Sequence, residues 1–435
     1  MATVHKTQTD RPSATRTSRR VPFPVVDEIA RHCADPNEPN TIHMEIHLPG
    51  KIRPDALRTA FGQALSKHPR VLMRERRHRP FARRYEWELT ESPHGDVLRF
   101  PPCEPGALAH ARRRALDDAP ALNSAPPLRL EVIEEPGTGG CVLLFTVHHT
   151  ALDGPACLRI AATTAELYSG HPASAIPASP LRLPSRPAKR STSLPRPAAR
   201  VAAGRPGATP GNALLTAELA IPPREPHARY TVNDQLLVAT ALTIASWNRR
   251  QGAPDRPLRI TMPIDDRDRG PAMPIGNGTR LAEITFTPAD VQTTTDIGSL
   301  LHDTARHTRA LKARGHAPLG RGVALLTAPI LPVSARAALT RGVRRIMAPW
   351  TSTTLLSNFG RIPYPLDFGD AGHADAVWIS APAAMPRGLT FTTASTGGRL
   401  HVALRWSRTL LGDEDGAHLL ETFTRQLAAT ETEAR

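Results

Sequence analysis

Long apolar runs are missing from this chain. No stretch reaches membrane-spanning length, and the N-terminus lacks the apolar core of a secretory signal. We therefore expect no spanning helix, no membrane partner and a soluble cytoplasmic protein. Cysteine is scarce: Cys33, Cys103, Cys141 and Cys157 lie scattered, with no C-x-x-C or other metal-ligand spacing. That argues against a disulfide scaffold or a metal centre and for buried thiols in a reducing compartment. Aromatics make up 4% of the residues, a thin supply for stacking bases. No G-x-S-x-G occurs, so a serine nucleophile would lack its strand–turn–helix setting. Acidic residues fall short of basic ones, 40 against 55, for a formal net charge of +15. Such a balance invites a nucleic-acid partner. However, the excess concentrates in the N-terminal tail and a proline-rich segment, and the abundance of Arg, Ala and Pro matches a GC-rich coding background. No nucleic-acid partner is expected.

What the chain does have is one stretch around which the rest is organised, Cys141-Val-Leu-Leu-Phe-Thr-Val-His148-His149-Thr-Ala-Leu-Asp153-Gly154. β-Branched and large apolar residues over 141–148 predict a buried strand. Asp153 or Gly154 suits the cap of a following helix, and Pro155 its first turn, where a missing N–H costs nothing. Neighbours in a strand point to opposite faces, so only one of His148 and His149 enters a given cleft. A neutral imidazole there can take a proton from a hydroxyl or an amine. Two satisfied interior histidines are the plain alternative. Metal binding by His148, His149 and Asp153 is disfavoured, because the rings diverge and no third ligand motif appears.

At 435 residues the chain can build two lobes, each with its own core. Residues 1–20 read as a flexible basic tail. In a first lobe, 21–170, the patterns predict strands at 41–48, 83–89, 128–133 and 141–148. Helices are predicted at 54–67, 107–116 and 155–168, with a short one within 21–34. From 171 to 212 prolines recur, acidic residues vanish and periodicity is lost, which predicts an inter-lobe linker; a docking arm is the alternative. The second lobe, 213–435, reads as strands at 213–219, 258–264, 281–286, 353–357, 389–394 and 400–406. Its helices are expected at 232–249, capped by Asn233 or Asp234, at 297–312 and at 413–428.

The H-H-x-x-x-D-G stretch resembles the signature of the condensation-domain superfamily, the relatives of chloramphenicol acetyltransferase. Flanking segments agree in order: His68-Pro69-Arg70 to Arg74, Pro126-Pro127-Leu128-Arg129, Val232-Asn233-Asp234-Gln235-Leu236-Leu237, Met262-Pro263-Ile264-Asp265-Asp266-Arg267, Gly276-Asn277 and Ser357-Asn358-Phe359-Gly360. The resemblance runs from about residue 21 to 430. It implies an α/β fold of two chloramphenicol-acetyltransferase-like lobes, a pseudo-dimer with its channel between them.

It also implies a chemistry. His149 would face the channel as general base, removing the proton of an amine or alcohol as it attacks an acyl thioester. Gly154 would let substrate approach and could offer its N–H to the oxyanion. Asp153 would point away and pair with Arg267, holding the loop as His148 does; simple helix capping by Asp153 is the alternative. Ser357 and Asn358 are candidate channel-lining residues, with packing or a turn as the alternative role. No metal and no resident cofactor are implied, since phosphopantetheine or CoA enters as part of the donor. The expected partners are an acyl or peptidyl carrier protein, or acyl-CoA, and a small acceptor in natural-product assembly; a basic surface suits an acidic carrier. A non-catalytic recruitment module is the rival, against which an intact His149 argues. His148 also satisfies the H-x-x-x-x-D of glycerolipid acyltransferases, whose later blocks are not visible. Asp367-Phe368-Gly369 lacks the Trp-Gly of plant-type members and reads as a turn.

Overall fold

The computed structural model describes residues 19–79, 81–171, 197–224, 227–292, 296–313 and 326–432. The expected tail over 1–18 and most of the expected linker, 172–196, lie outside them. The first half runs β1 (Arg20–Pro22), α1 (Val25–His32), β2 (Thr41–Leu48), α2 (Pro54–Lys67), β3 (Met73–Glu75), β4 (Glu86–Leu89), β5 (Leu98–Arg99), α3 (Ala107–Asp117), β6 (Leu128–Ile133), β7 (Cys141–His148) and α4 (Gly154–Ser169). The second runs β8 (Asn212–Ala220), α5 (Val232–Arg250), β9 (Leu258–Ile264), β10 (Arg280–Phe286), α6 (Ile297–Ala313), α7 (Val333–Ile346), β11 (Thr354–Arg361), β12 (Ala376–Ser380), β13 (Leu389–Thr396), β14 (Arg399–Ser407) and α8 (Asp413–Thr432).

β7 occupies the middle of a five-stranded sheet, ordered β12-β2-β7-β6-β5, and is antiparallel to both neighbours. Leu143, Phe145 and Val147 project into a core with Phe61 of α2 and Ile160 of α4. Each is fully buried, stabilising the fold by roughly 1.5–3 kcal/mol. Leu144 faces the opposite way, against Ala107, Ala111 and Ala115 of α3. The register pairs Thr41 with His148, which sets the histidines at the sheet's end. In the second half a six-stranded sheet, β10-β9-β11-β13-β14-β8, is covered by α5 and α8 through Leu236, Leu237, Ile244, Leu419 and Phe423. The chain is thus an α/β protein with two sheet-based cores.

The halves are not cleanly separate. β12, from the second half, forms the edge of the first sheet by pairing with β2, and Val333, Phe368 and Val377 pack into the first core. One cut near residue 212 therefore does not divide the cores. The expected linker also ends early. Ala199 and Val201 are buried in the second core, and Asn248 Nδ2 donates to the Arg200 carbonyl at 2.8 Å. Trp247 Nε1 donates to the Ala202 carbonyl at 2.9 Å. Side chains of α5 satisfy this stretch, so it packs without forming an element. The α5 cap is Thr231 rather than Asn233 or Asp234; Asp234 sits at the third helical position and accepts the Thr231 N–H at 2.8 Å.

Candidate active site

The loop after β7 is held from both halves of the chain. His149 follows the strand's last residue, and its backbone N–H donates to the Asn40 carbonyl at 2.8 Å. Arg405 of β14, fully buried, pins the same segment by donating to the Thr41 carbonyl at 2.7 Å and the Thr41 hydroxyl at 3.0 Å. The His149 Nδ1 lies 3.1 Å from the Leu152 carbonyl. A carbonyl only accepts, so Nδ1 carries the proton and Nε2 presents its lone pair. Among the described residues Nε2 has no hydrogen-bond partner. Burial lowers the His149 pKa; the Leu152 carbonyl and Asp153 oppose the shift, and Arg405 adds to it. The imidazole is therefore neutral near pH 7, although part of its surface remains reachable by solvent.

His148 is wired differently. Its Nδ1 accepts from the Thr150 N–H at 3.2 Å, and burial pushes its pKa down to about 4. Its ring borders a cleft of about 550 Å³ that Arg31, Glu75, Arg77 and His78 also line. The two rings thus differ in tautomer: the first is occupied by the loop's own backbone, the second keeps an open nitrogen.

Asp153 makes both of the contacts weighed for it. Its Oδ1 accepts from the Ala156 N–H at 3.0 Å, capping α4. Its Oδ2 accepts from Arg267 Nη2 at 2.8 Å, from the Gly278 N–H at 2.8 Å and from the Thr279 N–H at 3.2 Å. Arg267 is itself fixed by Asp265 and by the carbonyls of Pro274 and Gly276. Gly154 opens the helix, and a Cβ there would collide with the Phe359 ring. Asn358, next to Phe359 on β11, spends its amide on Asn233, Thr393 and the Gly360 N–H at the strand's bulge, whereas Ser357 is half-buried beside it. Asp367–Gly369 is a turn with Phe368 buried near Tyr168.

Three contributors were not singled out from the sequence. Asn277 Nδ2 faces the carbonyls of His149 (3.2 Å) and Thr150 (2.9 Å) and the Asp27 carboxylate (2.9 Å). Three acceptors around one nitrogen fix the amide's orientation. Asp27, also bonded by Trp87 Nε1 at 2.9 Å, is raised by burial to about 6 against those hydrogen bonds. Phe359 is the third. Asn277 and Phe359 stood inside segments that carried the resemblance; Asp27 left no local signal. Among the described residues no group of three or more His, Cys, Asp or Glu side chains is placed to hold a metal ion, and no helix is long and apolar enough to cross a membrane.

The fold is shared with solved condensation domains. The condensation domain of the monacolin K polyketide synthase MokA superposes with a TM-score of 0.61 at 12% identity, covering 95% of this chain and 98% of that one. The starter condensation domain of rhizomide synthetase RzmA, solved as a point mutant in complex with C8-CoA, gives 0.57 at 16% identity over 91% of this chain and 90% of that one. A wax ester synthase/diacylglycerol acyltransferase of Marinobacter aquaeolei VT8 gives 0.56 at 17% identity, over 95% and 99%. In sequence, the uncharacterized protein Rv2305 of Mycobacterium tuberculosis is 28% identical over 411 residues, 86% of this chain and 91% of that protein. No protein-family model matches the chain.

Proposed function

We propose that this protein is a condensation-type acyltransferase that joins the acyl group of a thioester to an amine or alcohol. The observation that carries the reading is His149, whose Nδ1–H is committed to the Leu152 carbonyl while Nε2 is unpartnered among the described residues. Nε2 takes the acceptor's proton as the nitrogen or oxygen attacks the thioester carbon. The new C–N or C–O bond forms, the C–S bond breaks, and the proton passes to the departing thiolate. A thioester is already activated, so no acyl-enzyme is needed; orientation supplies much of the rate, and proton removal adds roughly 10²–10⁴-fold. The N–H of Gly154, in the first turn of α4, is the proposed oxyanion donor. Asp153 and Arg267 hold the loop and carry no proton.

The donor is phosphopantetheine-borne, on a carrier protein or as CoA, and the setting is peptide- or polyketide-type natural-product assembly. The RzmA domain, solved with C8-CoA, supports a thioester donor, and the wax ester synthase keeps an alcohol acceptor in view. The test is incubation with acyl-CoA and acyl-carrier thioesters plus pooled amines and alcohols, with acyl transfer followed by mass spectrometry and a folded His149→Ala variant alongside. Product from wild type alone is expected. Equal product from the variant removes His149 as base, and tight binding of a loaded carrier without product assigns the chain to recruitment.

A further inference from the structure

α7 shows three faces. Val333, Ala337 and Thr340 are buried, and with them Arg336, whose Nε donates to Glu28 of α1 at 2.9 Å while Nη1 donates to the carbonyls of Arg83, Ala328 and Leu331. At about 100° per residue, Ala335, Ala338, Leu339, Val343 and Ile346 fall on a second face, and Arg341 and Arg345 on a third edge. The second face is apolar and open: Leu339 is 45% exposed, Val343 36% and Ile346 72%, and Met347 at the helix end 43%. Just before the helix, Ile330 is 73% exposed and Leu331 47%. Single exposed apolar residues are ordinary, but several on one helix face are not.

Residues 76–79 and 81–84, between β3 and β4, approach the N-terminal end of α7, because the Val333 N–H donates to the Ala82 carbonyl at 2.8 Å. They project Phe81, 84% exposed, among the exposed Arg76, Arg77, Arg79, Arg83 and Arg84. No Asp or Glu occurs between Asp303 and Asp367 in the sequence, and none from 76 to 84. Residues 76–78 line the cleft that His148 borders.

We propose that α7, with residues 330–331, 76–79 and 81–84, is a peripheral membrane-binding surface that inserts its apolar face among the acyl chains of an anionic lipid bilayer. The occupant follows from shape and charge. Protruding aliphatic side chains on a convex helix need no preformed pocket when the partner is a deformable apolar phase, and arginines at the apolar edge reach the anionic headgroups. A protein partner would have to supply a groove for this ridge and acidic groups at its rim. Surface binding needs no spanning helix. The surface also adjoins the cleft that His148 borders, but the binding does not depend on the transferase reading.

The test is co-sedimentation of the full chain with vesicles of phosphatidylcholine alone and of an equimolar mixture with phosphatidylglycerol, at low and high salt. Wild type is expected to pellet with the anionic vesicles and to be released by salt. The combined variant Leu339→Ser, Val343→Ser, Ile346→Ser leaves the charge unchanged and should lose about tenfold or more in affinity, with an unaltered melting temperature. Arg341→Glu with Arg345→Glu should weaken the preference for anionic lipid several-fold, the arginines of 76–84 retaining the rest. Wild type that stays in the supernatant overturns the proposal. So does a serine variant that binds like wild type, since the net charge alone would then explain the pelleting. Self-association, or capture of an acidic carrier protein, that the serine variant loses in the absence of vesicle binding assigns the face to protein and also overturns it.

Discussion

Arg267 Nη2 donates to Asp153 Oδ2 at 2.8 Å across 114 residues of sequence, with 11% and 2% of the two side chains exposed. The same oxygen accepts two backbone N–H groups, so one carboxylate ties the His-bearing loop to the 276–279 segment of the second half. Removing Arg267 strands a buried carboxylate. Arg267→Ala should cost about 3–5 kcal/mol, read by denaturant unfolding, and should depress acyl transfer. Asp153→Asn keeps an acceptor for Ala156 and should lose less. Unfolding of Arg267→Ala at the wild-type midpoint would show the pair to be idle.

His149→Ala should lower turnover by roughly 10²–10⁴-fold at unchanged stability. Burial lowers the His149 pKa, so the base form persists in acid, and the acidic limb of kcat/KM should fall below the ordinary histidine value of 6.5. A limb at or above 6.5 would mean that another group titrates. His148 is already committed to the Thr150 N–H, and its replacement by Asn, which retains an acceptor, should leave that limb where it is.

Gly154 and Phe359 are complementary. Gly154→Ala drives a methyl into the Phe359 ring, an overpacking that should destabilise by about 1–3 kcal/mol. Phe359→Leu should recover part of that loss in the double variant. A double-mutant cycle without coupling would place the steric demand elsewhere.

Much of this site was written in local pattern. The β-branched run 141–148, the Asp-Gly-Pro start of α4 and the alternation of 41–48 define β7, α4 and β2 because one sheet face is buried and the turn chemistry agrees. α7 was not predicted, for a physical reason: its outer face is apolar and its buried face carries Arg336, which inverts the amphipathic signal. β12 was missed because five residues inside an Ala- and Pro-rich stretch carry little periodicity, and its partner β2 lies more than three hundred residues earlier. The grip of Asn277 on the His149 and Thr150 carbonyls is likewise long-range. No window of sequence contains both ends of such a contact.

Asn277 offers a separate handle on that grip. Asn277→Ala removes the donor shared by the His149 and Thr150 carbonyls and Asp27, so it should reduce turnover about tenfold through misplacement of the imidazole. KM should change less. Asn277→Asp should be worse, because a second carboxylate would meet Asp27 and two carbonyls. Wild-type turnover in the alanine variant would release Asn277 from any positioning role.

Stability should fall on mild acidification. Burial holds His32, His68 and His148 at about 4, against an ordinary value of 6.5, with nearby arginine charge adding to the shift for each. The unfolded chain protonates these rings below 6.5 and the folded chain only near 4, so unfolding takes up protons in that window and is favoured as the pH drops. His149 and His401, also lowered by burial, act in the same direction. Asp27 opposes them. Raised by burial from 3.8 to about 6, it binds its proton first in the folded state, so acidification through 6 favours the fold, and Glu28, raised for the same reason, joins it. Five imidazoles against two carboxyls leave a net uptake on unfolding, and each net proton removes about 1.4 kcal/mol per pH unit. The melting temperature should therefore drop between pH 7 and 5, and His68→Gln, which can keep a bond to Thr163, should flatten the slope. A melting temperature that holds or rises over that range would mean that these rings take up protons in the folded protein.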